Sequence, residues 1–343
     1  MIALASECAE LGWDVDVIVL DGSNADYASE LSSQLHVIDL HRKHARTSVP
    51  ALMHYLRQRH PVALFSTLTQ MNFAVVVARV ACVQTRIVLR EADTMLENGR
   101  TTRFLISILY RMVHSIVAVS DDVKKDLVSK ARLPADRICV IRNSVDADHV
   151  WELAHAELPA LFPKDGTPVI LGAGRLELQK DFATLLRAFA LVRAERPGHL
   201  IILGRGSQLV QLQRLADDLG IAESVLFPGF VQNPYAWMAR SRVFVLSSVH
   251  EGCPNVLLQA LACGCSIVAT DAPGDARFLL DNGRLGRLVP VRDDVAMAGA
   301  IKDALDDAGS DHGPAAVDEW LQGFGLRATA VAYLEAAGLS AQP

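Results

Sequence analysis

The sequence predicts an α/β protein built from two doubly wound domains, and three observations carry that prediction. Short β-branched runs alternate with amphipathic stretches along the whole chain, the pattern of parallel strands covered by helices on both faces. The 343 residues exceed what one domain usually holds. Near the middle, Asp146 to Thr167 breaks the pattern with Pro159, Pro163 and Gly166 and leads into Pro168. The boundary is placed there, so residues 1–150 and 151–325 form the two domains and 326–343 a closing helix and tail.

In order along the first half, strands are expected near Asp16–Leu20, Leu35–Ile38, Val62–Phe65, Arg86–Leu89, Ser115–Val119 and Ile138–Ile141, with helices between most of them. The second half repeats the alternation, with strands near Pro168–Gly172, His199–Leu203, Val225–Phe227, Val243–Leu246, Ser266–Ala269 and Gly286–Val289. In the tail, Phe324, Ala328, Val331, Tyr333, Leu334 and Ala337 recur at helical spacing and predict one packed face. The chain opens inside what reads as a helix, Ile2–Leu11, whereas a doubly wound sheet normally opens with a central strand and a glycine turn. The expectation is therefore a start codon placed too far downstream, or a truncated form. A lost central strand would leave neighbouring backbone groups unpaired.

Composition narrows the function classes. With 51% apolar and 21% charged residues the chain is globular. Its longest apolar stretches, such as Phe73–Val83 with Arg79 inside it, are too short to span a bilayer. Glu7 and Glu10 stand where a secretory signal would carry Lys or Arg. The six cysteines form no C-x-x-C and no zinc-like cluster, so a reduced, cytoplasmic protein with no metal is expected. Net charge is −6, all of it from the second half: residues 1–150 carry 17 basic and 17 acidic side chains, the remainder 16 and 22. Nucleic-acid binding is disfavoured on that balance.

Two segments carry the chemistry. In Ser247–Thr270, a strand end, a loop and a helix lead into another strand; Pro254 suits the first helical position, and Glu251 falls just before it. Glu251 serves there either as a cap for free helix N–H groups or as a ligand-reading acid. In Leu171–Leu186 a strand ends at Gly172 and Gly174, followed by Arg175 and then Lys180. Two cations at the carboxyl edge of a parallel strand stand where open α/β sheets bind ligands, and a diphosphate is the natural guest. Solvated surface charge is the alternative for either cation alone.

Together these pieces resemble the family-4 glycosyltransferases of the GT-B fold across nearly the whole chain. The resemblance rests on Gly174-Arg175-Leu176 with Lys180, on Pro228–Ser248, and on Glu251-Gly252 with Pro254-Asn255-Val256-Leu257-Leu258. It also rests on Ala262-Cys263-Gly264-Cys265, Asp271-Ala272-Pro273-Gly274, His114–Leu127 and Ile141–Asp146. It implies two Rossmann-like domains facing a cleft, the first for the acceptor and the second for a nucleotide sugar, with the C-terminal helix crossing back to the first. The implied activity is metal-independent, retaining transfer of a hexose or N-acetylhexosamine from a UDP-sugar, less readily a GDP-sugar, to a glycan or lipid-linked acceptor. No cofactor is implied.

By the same resemblance Glu251 reads the donor sugar, and Arg175 and Lys180 stabilise the departing diphosphate. Gly174, Phe230, Val231, Gly252, Cys253, Pro254, Asn255 and Val256 line the donor. The family's ribose-holding acid, eight positions after Glu251, is Gln259 here, which can still accept a hydrogen bond. Where some relatives have a first-domain His, this chain reads Arg90-Glu91-Ala92-Asp93, so Glu91 and Asp93 are the acceptor-side candidates; an exposed strand-end salt bridge is the other reading of Glu91. Replacing Glu251 or Lys180 with Ala is expected to abolish transfer and leave the fold nearly intact, since both are placed on polar loop edges.

The remaining features have two readings each. His41–His60 is rich in Arg, Lys and His, with Val49, Leu52, Met53 and Leu56 at helical spacing. It is either a peripheral contact with an anionic membrane, at the inner face of the plasma membrane, or a core-facing helix with a basic edge. Cys263-Gly264-Cys265 reads as packing at a helix end, His250 as pocket lining or a loop turn, and His114 as structural. A non-catalytic nucleotide- or partner-binding subunit is the second functional reading, motivated by Gln259 and the missing strand. A dinucleotide-dependent enzyme is discounted, because no G-x-G-x-x-G follows the first strand of either half.

Overall fold

A computed structural model describes residues 1–22, 35–96, 99–157, 160–307 and 314–340. The chain divides into two compact units, one from residues 1–143 with those after 325, the other from 144–325. The sequence boundary at 150/151 falls inside a helix, Ala147–Ala154, that belongs wholly to the second unit. That helix starts where the Asp146 carboxylate accepts from His149 N, so the break lies before the cap and not among the prolines that follow. Pro159 lies outside the described residues.

The first unit contains α1 (Ile2–Glu10), β1 (Asp16–Val19), β2 (His36–Asp39), α2 (Ala45–Arg59), β3 (Ala63–Thr67) and α3 (Thr69–Ala78). It continues with β4 (Arg86–Glu91), α4 (Arg100–Leu109), β5 (Ser115–Ala118), α5 (Asp121–Ser129) and β6 (Ile138–Val140). Local chemistry sets these ends: α5, for example, starts where Ser120 Oγ accepts from Val123 N at 3.1 Å, with Asp121 and Asp122 at the positive end of its dipole. All ladders are parallel, yet they form two sheets, β1-β2 and β3-β4-β5-β6, with no ladder from β1 to β3 among the described residues.

On α2, Leu52 and Leu56 are buried and Val49 and Met53 half-buried, while Arg46, His54, Arg57 and Arg59 face solvent. The apolar stripe is thus used inside the unit, and Arg59 holds Asp16 at 2.9 Å. Of the two readings of His41–His60, the structure supports the core-facing helix with a basic edge. No helix among the described residues is long and apolar enough to cross a membrane.

The second unit runs α6 (Ala147–Ala154), β7 (Val169–Ala173), α7 (Phe182–Glu195), β8 (His199–Leu203), α8 (Leu209–Asp218), β9 (Val225–Gly229) and α9 (Tyr235–Met238). It then runs β10 (Val243–Leu246), α10 (Asn255–Ala262), β11 (Ser266–Thr270), α11 (Ala276–Leu279), β12 (Arg287–Val289), α12 (Asp294–Asp306) and α13 (Pro314–Gln322). Its six parallel strands are ordered β12-β11-β10-β7-β8-β9. The inner strands are apolar along their length because both faces are covered, as Ile170, Leu171, Ile201, Val243 and Phe244 show with exposures of 0%. The chain winds from β7 outward to β9, then returns to lay β10 against β7's other side. That reversal falls at the carboxyl ends of β7 and β10, the switch point where open α/β sheets receive ligands.

After the second unit, α14 (Leu326–Ala336) returns to the first. Ala330, Tyr333, Leu334 and Ala337 pack with Leu4 and Cys8 of α1, with Leu11 just after it, and with Val88, Val117 and Ile141. Burial of a side chain the size of Leu334 contributes about 1.5–3 kcal/mol. Two residues of the expected face behave otherwise. Ala328 is exposed, and Phe324 joins Phe278 and Trp320 in the second unit, with ring centroids 6.4 and 5.8 Å away.

Candidate active site

Six predicted strands in each half lie within two residues of their expected bounds, so the motifs fall where the strand order can be used. Gly174, Arg175 and Lys180 follow β7; Ser247 to Glu251 follow β10. Both loops therefore meet at the reversal point of the second unit's sheet.

Backbone contacts hold the floor. Gly174 N donates to Leu203 O at 2.9 Å and Leu176 N to Arg205 O at 2.9 Å, tying the loop after β7 to the loop after β8. Gly204 has φ +136, and a Cβ there would lie 1.8 Å from Gly174 O, so only glycine permits this approach. On the other side Val249 N donates to Gln179 O at 2.9 Å, and Ser247 Oγ to Lys180 O at 2.7 Å. Glu251 N donates to Pro273 O at 2.9 Å, and Gly274, with φ +123, approaches so closely that a Cβ would sit 2.2 Å from Glu251 O. The Asp271–Gly274 motif thus supports the main chain of Glu251.

Lys180 Nζ and the Glu251 carboxylate form an ion pair, and Ser248 Oγ donates to the same Glu251 oxygen at 2.6 Å. The two charged side chains are 14% and 9% exposed, which sets them apart from the solvated surface charge considered for Lys180 and from polar loop edges. Glu251 does not cap α10 with its side chain; its carboxylate accepts from Lys180 and Ser248 instead. Arg175 is exposed, with Nη2 3.4 Å from Gln179 Oε1. Gln179 in turn donates to His250 O at 3.0 Å, and His250 is buried, so it holds the loop rather than standing open to solvent.

Pro254 precedes α10 with φ −73 and ψ 102 instead of taking the first helical position, which falls to exposed Asn255. Gly252, Cys253 and Pro254 are buried and Val256 half-buried. Gln259 Nε2 donates to Tyr235 Oη at 3.2 Å, so its carbonyl oxygen is the end left to accept. Gly264, with φ +75, closes α10: Gly264 N donates to Leu261 O and Cys265 N to Ala260 O. Burial pushes the Cys263 thiol up to about 12 and raises the Cys265 thiol well above its ordinary range, as expected of packing residues. Phe230 and Val231 follow β9, two strands from β7 and so about 10 Å along the same edge. Phe230 is half-exposed, and the Arg205 guanidinium lies 5.6 Å from its ring centre. Among the described residues no three His, Cys, Asp or Glu side chains gather at metal-ligand spacing.

Glu91 and Asp93 belong to the first unit, at the carboxyl end of β4. Glu91 is no exposed salt bridge. It is 5% exposed and accepts from Asn72 Nδ2 at 3.0 Å, Thr69 Oγ1 at 3.1 Å and the Tyr110 hydroxyl. Burial raises its carboxyl above the ordinary glutamate range, although the three donors pull the other way. Asp93 Oδ1 accepts from Thr94 N at 2.7 Å. The sequence reading missed Ser248, Gln179, Asn72, Thr69 and Tyr110. Only Ser248 left a signal, a hydroxyl three residues before Glu251 at a strand end.

Two cations, a buried acid and hydroxyl groups thus stand at the reversal point of a Rossmann-like sheet, the place where open α/β sheets receive ligands. The family follows from comparison. The Glycosyl transferases group 1 model matches residues 167–307, and the Glycosyltransferase Family 4 model matches residues 1–149. An N-acetylgalactosaminyltransferase of Campylobacter jejuni acting on a diphospho-undecaprenol-linked glycan is 33% identical over 250 residues, 71% of this chain and 67% of that enzyme. The lipopolysaccharide core glycosyltransferase LpsE of Rhizobium meliloti is 35% identical over 171 residues, 50% of this chain but only 48% of its own length. Among solved structures, a Rickettsia africae glycosyltransferase superposes with a TM-score of 0.79 at 17% identity, covering 98% of this chain and 92% of that one. HepE of Anabaena in complex with UDP does so with 0.77 at 17% identity, covering 98% and 96%. At such identities the structural likeness establishes the fold. The chain belongs to the family-4 glycosyltransferases and has the GT-B fold.

Proposed function

We propose that this chain transfers a hexose or N-acetylhexosamine from a UDP-sugar to a glycan or lipid-linked acceptor during synthesis of cell-surface polysaccharide. The observation that carries this reading is the Lys180–Glu251 pair beside Arg175 at the reversal point of the second unit's sheet. A nucleoside diphosphate fits that edge with its base at Phe230 and Val231 and its phosphates toward Arg175 and Lys180. Arrival of the diphosphate gives Lys180 a second anion and leaves Glu251 to accept from sugar hydroxyls. As the bond to the sugar breaks, negative charge grows on the departing phosphate, and Arg175 and Lys180 stabilise it without moving. In this reading the two cations supply the charge that a metal would otherwise bring, and the acceptor oxygen bonds the anomeric carbon on the face the phosphate leaves, passing its proton to that phosphate, so the configuration is retained. The relatives support the substrate class: the Campylobacter enzyme uses a lipid-linked acceptor, and HepE binds UDP. The location that fits is the inner face of the plasma membrane.

The test is UDP release from a panel of UDP- and GDP-sugars with lipid-linked acceptors, with and without chelator, and product anomers read by NMR. Turnover of a UDP-sugar that survives chelation and preserves the anomeric configuration is expected. No turnover of any donor would sink the proposal. The Gln259–Tyr235 hydrogen bond favours one further reading, a subunit that binds nucleotide without turnover. Nucleotide binding with no turnover in either the parent or Gln259→Glu would establish it, whereas a large gain of turnover in Gln259→Glu would support a damaged enzyme.

A further inference from the structure

The first unit carries a second charged feature, at the opposite end of its sheet from Glu91. Arg79, Arg86, Arg111, His114 and Arg137 line a hollow of about 350 Å³ beside the amino ends of β4 and β5. No acidic side chain among the described residues lines it. Three of the arginines are fixed by main-chain carbonyls and not by carboxylates. Arg86 donates to Ala337 O at 3.0 Å and to Gly338 O. Arg111 donates to Ser107 O at 2.9 Å and Arg132 O at 2.6 Å. Arg137 donates to Arg111 O at 3.0 Å, His114 O at 3.3 Å and Val113 O. Carbonyls orient a guanidinium but do not neutralise it, so the positive charges stand together with no formal counter-charge on the wall. The Arg79 side chain has no hydrogen-bond or ion-pair partner among the described residues; only its backbone is bonded, its N donating to Val75 O and its carbonyl accepting from Cys82 N. The field is strong enough to be felt locally: burial, then Arg86 and Arg137, lower the pKa of His114. A guanidinium has five N–H donors, and those not spent on carbonyls are available to oxygen atoms of an anion.

We propose that this hollow binds a phosphoryl group, independently of the nucleotide-sugar site. Its rim indicates the carrier to test first. Val83 and Met112, which line it, are 68% and 46% exposed. Apolar side chains around a pocket of arginines match a phospholipid headgroup, whose phosphate takes the charge while its chains meet the rim. Inorganic phosphate offers the same oxygens without the chains.

The experiment uses the full chain with two probes. One is sodium phosphate, followed by isothermal titration; the other is vesicles of phosphatidylglycerol or of phosphatidylcholine, followed by co-sedimentation. Arg79→Glu reverses a charge whose side chain has no partner among the described residues, Arg79→Lys keeps the charge, and Arg57→Glu on the exposed edge of α2 controls for general electrostatics. Circular dichroism melts confirm that each variant is folded. Binding of phosphate, or of phosphatidylglycerol but not phosphatidylcholine, that weakens about tenfold in Arg79→Glu and persists in Arg79→Lys and Arg57→Glu supports the site. Phosphate binding alone identifies a free anion as ligand, whereas vesicle binding identifies a headgroup. No binding of either probe, or equal losses in Arg79→Glu and Arg57→Glu, overturns it.

Discussion

Lys180→Met is the substitution whose outcome the structure specifies most closely. It removes the cation from a pair whose members are 14% and 9% exposed and leaves the Glu251 carboxylate with the Ser248 hydroxyl as its partner. Breaking a fully buried pair costs about 3–5 kcal/mol, and the residual water access here moves the expectation down to roughly 2–3 kcal/mol. For a unit the size of residues 144–325 that loss lowers the melting temperature by roughly 4–12 °C. This corrects the sequence reading that such changes leave the fold nearly intact, because the residues are buried and not on loop edges. Adding Glu251→Gln removes the stranded charge, so the double variant recovers most of the loss. The assay is thermal unfolding of both single variants and the double variant, with UDP release measured on the same preparations. Turnover is expected to fall by about 10²–10³ in Lys180→Met. Melting effects that simply add, within about 0.5 kcal/mol, would show that the two side chains do not interact. Unchanged turnover in a folded Lys180→Met would remove Lys180 from the site.

Two further outcomes follow from titratable groups outside that pair. Because burial raises the Glu91 carboxyl, its contribution to stability is complete below the ordinary glutamate pKa and is lost as pH rises through the folded value. Glu91→Gln keeps the shape and an acceptor, so its melting temperature relative to the parent should be higher at pH 8 than at pH 4; a constant difference would contradict a buried, titrating Glu91. Cys82 is lowered to about 7 by hydrogen bonds from Thr85 and then His60, whereas Cys8 is raised to about 11 by burial. Iodoacetamide at pH 7.5 should therefore label Cys82 first, more slowly in His60→Ala, and peptide mass spectrometry showing Cys8 labelled first would refute the ordering.

The strands were legible because a parallel strand covered on both faces reads as a continuous apolar run, and Leu200–Leu203 or Val243–Leu246 admit little else. The positions of Arg175, Lys180 and Glu251 were legible because loops at carboxyl ends follow from the strand assignment. Their pairing was not. Lys180 and Glu251 are 71 residues apart, and only the return of β10 to the side of β7 makes them neighbours. The surroundings of Glu91 were hidden for the same reason, since Thr69, Asn72 and Tyr110 come from α3 and from the turn after α4. Helical periodicity placed Phe324 on the final helix's packed face, but periodicity cannot tell which unit's core a side chain enters, and Phe324 went to the aromatic group of Phe278 and Trp320.

The placement of α14 also sets an order of events during synthesis. Arg86 and Gly338, which bond to each other, are 252 residues apart, and α1 packs against a helix made after the entire second unit. The usual vectorial sequence, in which the segment translated first completes its core first, is therefore reversed. Residues 144–325 can finish folding on the ribosome while Leu4, Cys8 and Leu11 still wait for Tyr333 and Leu334. Until then the apolar side chains of the early segment have no partner helix to cover them. A nonsense codon between Gly325 and Leu326 would thus spare the nearer unit and damage the one encoded furthest from it.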